Sequence, residues 1–439
     1  MFRNISSSSR IRSIDPRGGL RWASPLVALL LLRGTVYGQG RPAAVRIDLD
    51  QAIQLALTNN HALKAARTQI PQSQDQEVTA GLRPNPVLTL DSLYLPLFSP
   101  HELNGTTLDN TSEFDAGISY LLERGHKRQA RLRAARDQTN VARLQVSDVE
   151  RALTFNVAQQ FIGALLGRSN LEFARGNLAS FEHTVDLSET RFKAGDLSEG
   201  DFLKTKVQLL QFQTDVTSAE LAFVQSLASL RQLLGYEAVP LDYDIVGELA
   251  YSPLRLNQDD MRALALKQRP DLLAAEQGVS AAESQHDLAK ANGKRDLTTS
   301  VSYTHVAALN NASFAFNIDI PLFSRNQGEI ARTQHAITQS QENSTEVTET
   351  VMTDVSNAYE AVRTNETVVK LYLRDALKKA QDSRDISEFA YRQGAASLLD
   401  FLDAERSYRS TQLAYRQALA AYMLSLEQLR LAVGTRSLP

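Results

Sequence analysis

Residues 192–235 can be laid over residues 391–434 without a gap, each position facing the one 199 residues later. R-F-K-A-G-D-L-S-E-G-D-F-L, beginning at Arg191, faces A-Y-R-Q-G-A-A-S-L-L-D-F-L, beginning at Ala390. L-R-Q-L-L-G (Leu230 to Gly235) faces L-R-L-A-V-G (Leu429 to Gly434). Upstream, Val149, Leu153, Val157 and Phe161 stand opposite Val347, Val351, Val355 and Tyr359. Earlier still, L-A-L-T-N-N-H-A-L from Leu55 matches L-A-L-K-Q-R-P-D-L from Leu264. Self-similarity of this length means one supersecondary unit used twice. The first copy is expected over 40–235 and the second over 258–439. Residues 236–257, with Pro240 and Pro253, form the crossing between them.

Each copy reads in the same order. An amphipathic helix comes first, at about Asp48 to Leu82 and Gln258 to Gly293. Two strands follow. A long helix then runs from about Arg124 to Ala194, or Arg325 to Gln393, and a turn at Gly195 or Gly394 reverses the chain. A last helix stops at Gly235 or Gly434, where glycine suits a helix end. In the second long helix Val347, Val351, Val355, Ala358, Val362, Val369, Leu373, Ala376 and Ala380 step by three, four or seven. That is a narrow, small-residue stripe of coiled-coil type. At 1.5 Å per residue, roughly 68 residues make a rod of about 100 Å. The shorter helices, stacked end to end, match that length and point to rods packed side by side.

The strands alternate. Phe314, Phe316, Ile318, Ile320 and Leu322 are interleaved with Ala315, Asn317, Asp319 and Pro321. Phe114, Ala116, Ile118, Tyr120 and Leu122 are interleaved with Asp115, Gly117, Ser119 and Leu121. Val87 to Leu95 and Thr298 to Val306 are the remaining two. Each is close to the length of ~10 residues that a tilted strand needs to cross a bilayer. Four strands cannot close a barrel in lipid, where open edges are not tolerated, so several chains must share one. The amino terminus supports export. Arg3, Arg10, Arg12, Arg17 and Arg21 precede the short apolar core L-V-A-L-L-L-L (Leu26 to Leu32), and Val36 and Gly38 precede a cut near Gln39. Residues 1–39 therefore read as a signal peptide with a basic start. No later stretch approaches the ~20 apolar residues of a transmembrane helix.

These features together resemble the TolC family of outer-membrane efflux proteins, over nearly the whole mature chain. The turn R-F-x-x-G-x-x-S-x-x-D-F-L, its second copy Y-R-Q-G-A-A-S-L-L-D-F-L-D-A and the repeat carry the resemblance. L-E-R-G-H-K-R-Q-A-R (Leu122 to Arg131) and P-L-F-S-R-N-Q-G-E-I (Pro321 to Ile330) look like the heavy-metal branch typified by CzcC. His126 departs from that branch's usual G-G-K-R. The resemblance implies a mainly α fold with a small β part. Three chains would join their strands into a twelve-strand barrel in outer-membrane lipid and their helices into a periplasmic tunnel. It also implies a passive conduit serving a periplasmic adaptor and an inner-membrane pump of the resistance-nodulation-division type. Divalent metal cations are the cargo favoured by the branch, organic toxicants the alternative. A soluble periplasmic coiled-coil adaptor is the competing class.

No catalytic pattern stands against this. The seven histidines, at 61, 101, 126, 183, 286, 305 and 335, form no H-x-x-x-H or H-E-x-x-H, and no phosphate-binding or nucleophile-elbow motif appears. Neither an enzyme, a cofactor nor a metal site is expected. Cysteine is absent, which excludes disulfides, thiolate ligands and lipid attached to cysteine. A net charge of −3 gives no footprint for nucleic acid. Gly195, Leu197, Ser198, Gly394 and Ser397 lie in the two turns, where an adaptor would dock on the tunnel's periplasmic tips. By the resemblance, Asp400 and Asp403 fall on the aspartates that ring the closed periplasmic entrance. Ser397 with Asp400, and Ser198 with Asp201, fit the S-x-x-D helix cap equally well. Asp403, one turn deeper, lies beyond capping reach.

Overall fold

The computed structural model describes residues 45–95, 97–255 and 257–438. The expected signal peptide lies outside them. The first copy contains β1 (Arg46–Ile47), α1 (Leu49–Asn59), α2 (His61–Arg67), α3 (Gln69–Gly81), β2 (Val87–Leu93), α4 (Gly105–Thr111), β3 (Glu113–Leu122), α5 (Lys127–Ala194) and α6 (Glu199–Leu234). The crossing carries β4 (Asp244–Ile245). The second copy contains α7 (Gln258–Gln268), α8 (Pro270–Asn292), β5 (Leu297–Val306), β6 (Leu309–Ile318), α9 (Gln327–Leu371), α10 (Leu377–Arg392) and α11 (Leu398–Val433). The chain is mainly helical with a small sheet, as expected.

The opening helix of each copy is broken where one continuous element was expected. The breaks fall at matching positions of the repeat. Asn60 takes ψ 122° and its side chain caps α2 by accepting from the Leu63 N–H. Arg269 takes ψ 119°, because a residue before proline is pushed out of the helical region by Pro270. Thr68 divides α2 from α3. Each break meets the end of its copy's closing helix. Asn60 Nδ2 donates to the Leu233 carbonyl at 3.0 Å, and Arg269 Nη1 to the Ala432 carbonyl at 3.3 Å.

The second long helix is also interrupted. Tyr372–Ala376 form a π turn between α9 and α10, whereas α5 runs 68 residues unbroken. A π turn inserts one extra residue, which shifts the apolar stripe. Val351, Val355, Ala358, Val362 and Val369 are buried as expected, but Leu373 is exposed and Tyr372 packs on the core in its place.

Two similar cores hold the copies. In the first, Ala52, Ile53 and Ala56 of α1 pack with Leu153, Val157 and Phe161 of α5 and Leu230 and Leu234 of α6. In the second, Met261 and Ala265 of α7 pack with Val351 and Val355 of α9 and Tyr422, Leu429 and Val433 of α11. Full burial of such a side chain is worth about 1.5–3 kcal/mol. The crossing is more ordered than its prolines suggested. β4 pairs in parallel with β1, Arg46 against Asp244 and Ile47 against Ile245, and Tyr243 and Ile245 enter the first core.

The sheet has the order β2-β3-β5-β6 with antiparallel neighbours. Directly paired residues share a face. Leu88 and Leu90 pair with Ile118 and Ala116; Phe114, Ala116, Ile118 and Leu122 pair with His305, Tyr303, Val301 and Leu297; Val301, Thr299 and Leu297 pair with Phe314, Phe316 and Ile318. The other face is largely polar, carrying Asp115, Ser119, Ser300, Ser302, Thr304, Asn311, Ser313 and Asn317. Strand bounds moved at two places. β6 starts at Leu309, directly after a two-residue turn in which Ala307 and Ala308 both have positive φ, and ends at Ile318 rather than Leu322. Pro321 has no N–H for a ladder. β2 ends at Leu93, before Tyr94 at φ 58°.

Candidate functional site

Both hairpins turn in the same way. At the end of α5, Gly195 sits at φ 84°, a left-handed conformation that only glycine adopts without strain. The Asp196 N–H reaches back to the Arg191 carbonyl at 2.9 Å and Gly195 N–H to Phe192 at 3.0 Å, closing the helix end. At the end of α10, Gly394 sits at φ 74°, with Ala395 N–H bonded to the Ala390 carbonyl at 2.8 Å. A side chain at Gly195 would meet open space, while one at Gly394 would come 3.5 Å from Arg191 Nη2.

The serines and aspartates form caps. Asp201 N–H donates to Ser198 Oγ at 3.1 Å, and the Ser198 hydroxyl donates to Asp201 Oδ2 at 2.9 Å. The Ser198 hydroxyl, and then Lys204 at 3.1 Å, hold the Asp201 carboxyl below its usual range. Ser397 and Asp400 form a full capping box. Asp400 N–H donates to Ser397 Oγ at 3.2 Å, Ser397 N–H to Asp400 Oδ2 at 3.2 Å, and the Ser397 hydroxyl to the same oxygen at 2.7 Å. Asp403 lies on the next turn, exposed, with Arg406 Nη1 3.3 Å from its Oδ1. Leu197 is half-buried, and its counterpart region places Leu398 in a core. The turns are thus brought together, but the hydrogen bonds of the Ser397–Asp400 box do not include Asp403, which pairs with Arg406.

A core just above the turns went unread in the sequence. Phe181, Val185, Phe212, Tyr391, Leu398 and Phe401 cluster across the two hairpins. Phe192 stacks on Phe202 at 4.9 Å, and their repeat counterparts Tyr391 and Phe401 stack at 5.5 Å. Tyr391 also accepts on its carbonyl from Arg191 Nη1 at 3.0 Å. Glu405 is buried nearby, 8 % exposed, opposite the position held by Lys206 in the first copy. Burial pushes its carboxyl up, against the pull of Arg384 and Arg409. Among the described residues no group of three or more His, Cys, Asp or Glu could hold a metal ion. No helix among them is long and apolar enough to cross a membrane.

Comparison with known proteins places this geometry. The family described as outer membrane efflux protein matches residues 52–236 and 262–435, one match per copy. The chain is 27 % identical to the pyoverdine export outer membrane protein OpmQ of Pseudomonas aeruginosa, over 88 % of this chain and 84 % of that one. It is 23 % identical to the cobalt-zinc-cadmium resistance protein CzcC of Cupriavidus metallidurans, over 85 % of this chain and 87 % of that one. A solved structure of CusC superposes with a TM-score of 0.73 at 21 % identity, covering 91 % of this chain and 96 % of that one. The soluble-adaptor alternative falls with the family match. The chain belongs to the outer membrane efflux protein family, a channel whose strands sit in the outer membrane and whose helical tunnel stands in the periplasm.

Proposed function

We propose that three copies of this chain form a passive conduit that carries divalent metal cations outward from an inner-membrane pump of the resistance-nodulation-division type. The sheet is the observation that supports it most. It has an apolar face, a polar face and two open edges, β2 and β6, and three such sheets joined edge to edge would leave none. In this reading residues 1–39 are removed on export, 40–235 and 258–439 are the two repeats, and 236–257 links them.

The turns are the adaptor contacts. Gly195, Leu197 and Ser198 in one, and Gly394 and Ser397 in the other, form the turns of the two helical hairpins α5–α6 and α10–α11, and nothing within 4 Å occupies the space beside Gly195. Asp400 and Asp403 form the entrance ring. A ring of carboxylates at a constriction concentrates cations locally. The channel performs no chemistry, so its cargo is set by the pump. Kinship to CzcC favours metal cations, and the second reading is organic toxicants; OpmQ, a pyoverdine export protein, shows that relatives of this chain carry other cargo than metal ions alone. Deleting the gene and comparing tolerance of cobalt, zinc and cadmium with tolerance of detergents and dyes decides between them. Loss of metal tolerance is the expected result; unchanged metal tolerance beside strong sensitivity to organic compounds would overturn the metal reading.

A further inference from the structure

The helix end of the sheet carries a cationic patch that neither conduction nor docking uses. Three junctions meet there: β3 into α5, α8 into β5, and β6 into α9. The Arg124 N–H donates to Asp296 Oδ1 at 2.9 Å. A Cβ on Gly125 would come 2.6 Å from Lys294 Cβ. Asn326 Nδ2 donates to the Ala289 carbonyl at 2.8 Å, and the Arg295 guanidinium donates to the Ser324 carbonyl. Two nearby carboxylates are taken, Asp296 by Lys127 at 2.7 Å and Glu123 by Arg131 at 2.6 Å, while Asp319, at the root of the β6-to-α9 junction, has no ion-pair partner among the described residues. Arg124, Arg128, Lys294, Arg295 and Arg325 have no ion-pair partner among the described residues, and Arg295 Nε is buried without a hydrogen-bond acceptor.

An apolar hook abuts this patch. Ile320, Leu322 and Phe323 are 75 %, 70 % and 91 % exposed. In the sequence Ile320 and Leu322 continue the alternation of Phe314, Phe316 and Ile318, beyond the end of β6. The Leu322 N–H bonds to the Ile320 carbonyl at 2.9 Å, which turns the backbone at Pro321. Arg325 Nε donates to the Pro321 carbonyl of the hook at 3.4 Å, and cations without ion-pair partners at the same junctions as exposed apolar side chains match an anionic lipid, with its phosphate on the cations and its acyl chains on the hook. Since the helices stand in the periplasm, this end of the sheet meets the periplasmic leaflet.

We propose that Arg124, Lys294, Arg325 and the Ile320–Phe323 hook form a collar that binds anionic phospholipid of the periplasmic leaflet. Leu322 and Phe323 enter the acyl region, and the cations hold the headgroup phosphate. The collar extends the membrane footprint beyond the strands.

The test uses the purified full-length channel. The only tryptophan of the chain is Trp22, within the segment removed on export, so Phe323→Trp gives the exported channel a single reporter. In vesicles of equal parts phosphatidylcholine and phosphatidylglycerol, its emission is expected to shift to the blue and to be quenched by phospholipid brominated near the headgroup. In parallel, phosphatidylglycerol retained through detergent purification is measured for the parent and for Arg124→Gln/Lys294→Gln/Arg325→Gln. Several-fold loss of phosphatidylglycerol, with phosphatidylcholine and helical circular dichroism unchanged, supports the collar. Water-like emission quenched by iodide would overturn the hook, and equal retention in the triple variant would overturn the headgroup site. Phosphatidylglycerol displaced by an added acidic peptide would reassign the patch to that ligand and overturn the proposal. A parent missing from the outer-membrane fraction would instead overturn the placement on which the collar rests.

Discussion

The hydroxyls of Ser188 and Tyr391 lie 3.1 Å apart, both buried, and join α5 of the first copy to α10 of the second. In the first copy the position of Tyr391 is held by Phe192, which stacks on Phe202 but has no hydroxyl. The repeat therefore keeps one aromatic pair in each hairpin and adds a cross-link to only one of them. Tyr391→Phe keeps the ring against Phe401 and removes one buried hydrogen bond, worth ~1 kcal/mol. Its expected effect is a looser tip, seen as higher single-channel conductance in a planar bilayer with the oligomer intact. Conductance equal to the parent would show that this link plays no part in opening.

Glu405 gives the tip a pH dependence of known sign. Its folded-state carboxyl is raised by burial, so between the ordinary carboxylate value and the raised one the folded chain holds more protons than the unfolded chain. Stability then falls as pH rises through that window. Asp385 and Glu388 add to the upward shift, and Arg384 and Arg409 oppose it. Arg409 is itself paired with Asp215 and Arg384 with Asp385, so neither is free to neutralise Glu405 fully. Glu405→Gln should raise the melting temperature at neutral pH, with the gain shrinking toward acid. A gain that grew toward acid would contradict the burial argument.

What could be read in the sequence was whatever depended on period. The alternation through Phe314, Phe316 and Ile318 and the stripe Val351, Val355, Ala358, Val362 each report a face that must be buried, in lipid or in a core. Breaks were harder. Arg269 stops a helix because Pro270 follows, a local signal that was present. Its counterpart Asn60 stops one by side-chain capping, and asparagine does that at some helical positions but not at others. The π turn at Tyr372–Ala376 left no mark: the stripe runs on in the sequence through Leu373, and the structure packs Tyr372 on the core in its place. The β1–β4 pair joins residues about 200 apart through two-residue strands, too short to show any alternation. At the tips, Ser397 and Asp400 were legible as a cap from spacing alone, whereas the buried Glu405 looked like any surface residue of a polar helix.

The cap and the entrance ring can be separated by substitution. Ser397→Ala removes the acceptor for the Asp400 N–H and should cost about 0.5–2 kcal/mol of stability, as helix caps do. Asp403→Ala breaks only an exposed pair with Arg406, so its stability cost should be within ~0.5 kcal/mol. Conductance should respond the other way round. Asp403→Ala is expected to raise conductance and abolish block by divalent cations added from the periplasmic side. Arg406→Ala, which frees the carboxylate, should deepen that block. If Asp403→Ala leaves conductance and block as in the parent, Asp403 does not line the entrance.

Gly195 and Gly394 test docking against folding. Both need a left-handed backbone, so any other residue costs roughly 1–2 kcal/mol at either position. They differ in space. Beyond Gly195 there is nothing within 4 Å for a side chain to strike, whereas Gly394 faces Arg191, which holds the Tyr391 carbonyl. Gly195→Leu should therefore keep the oligomer and its conductance while weakening co-purification with the periplasmic adaptor and lowering resistance. Gly394→Leu should do the same and also disturb the Arg191–Tyr391 contact, raising conductance. The pair of variants separates the two roles, because only the second moves the channel itself. Full adaptor binding and full resistance in Gly195→Leu would mean that this turn is a helix end and nothing more.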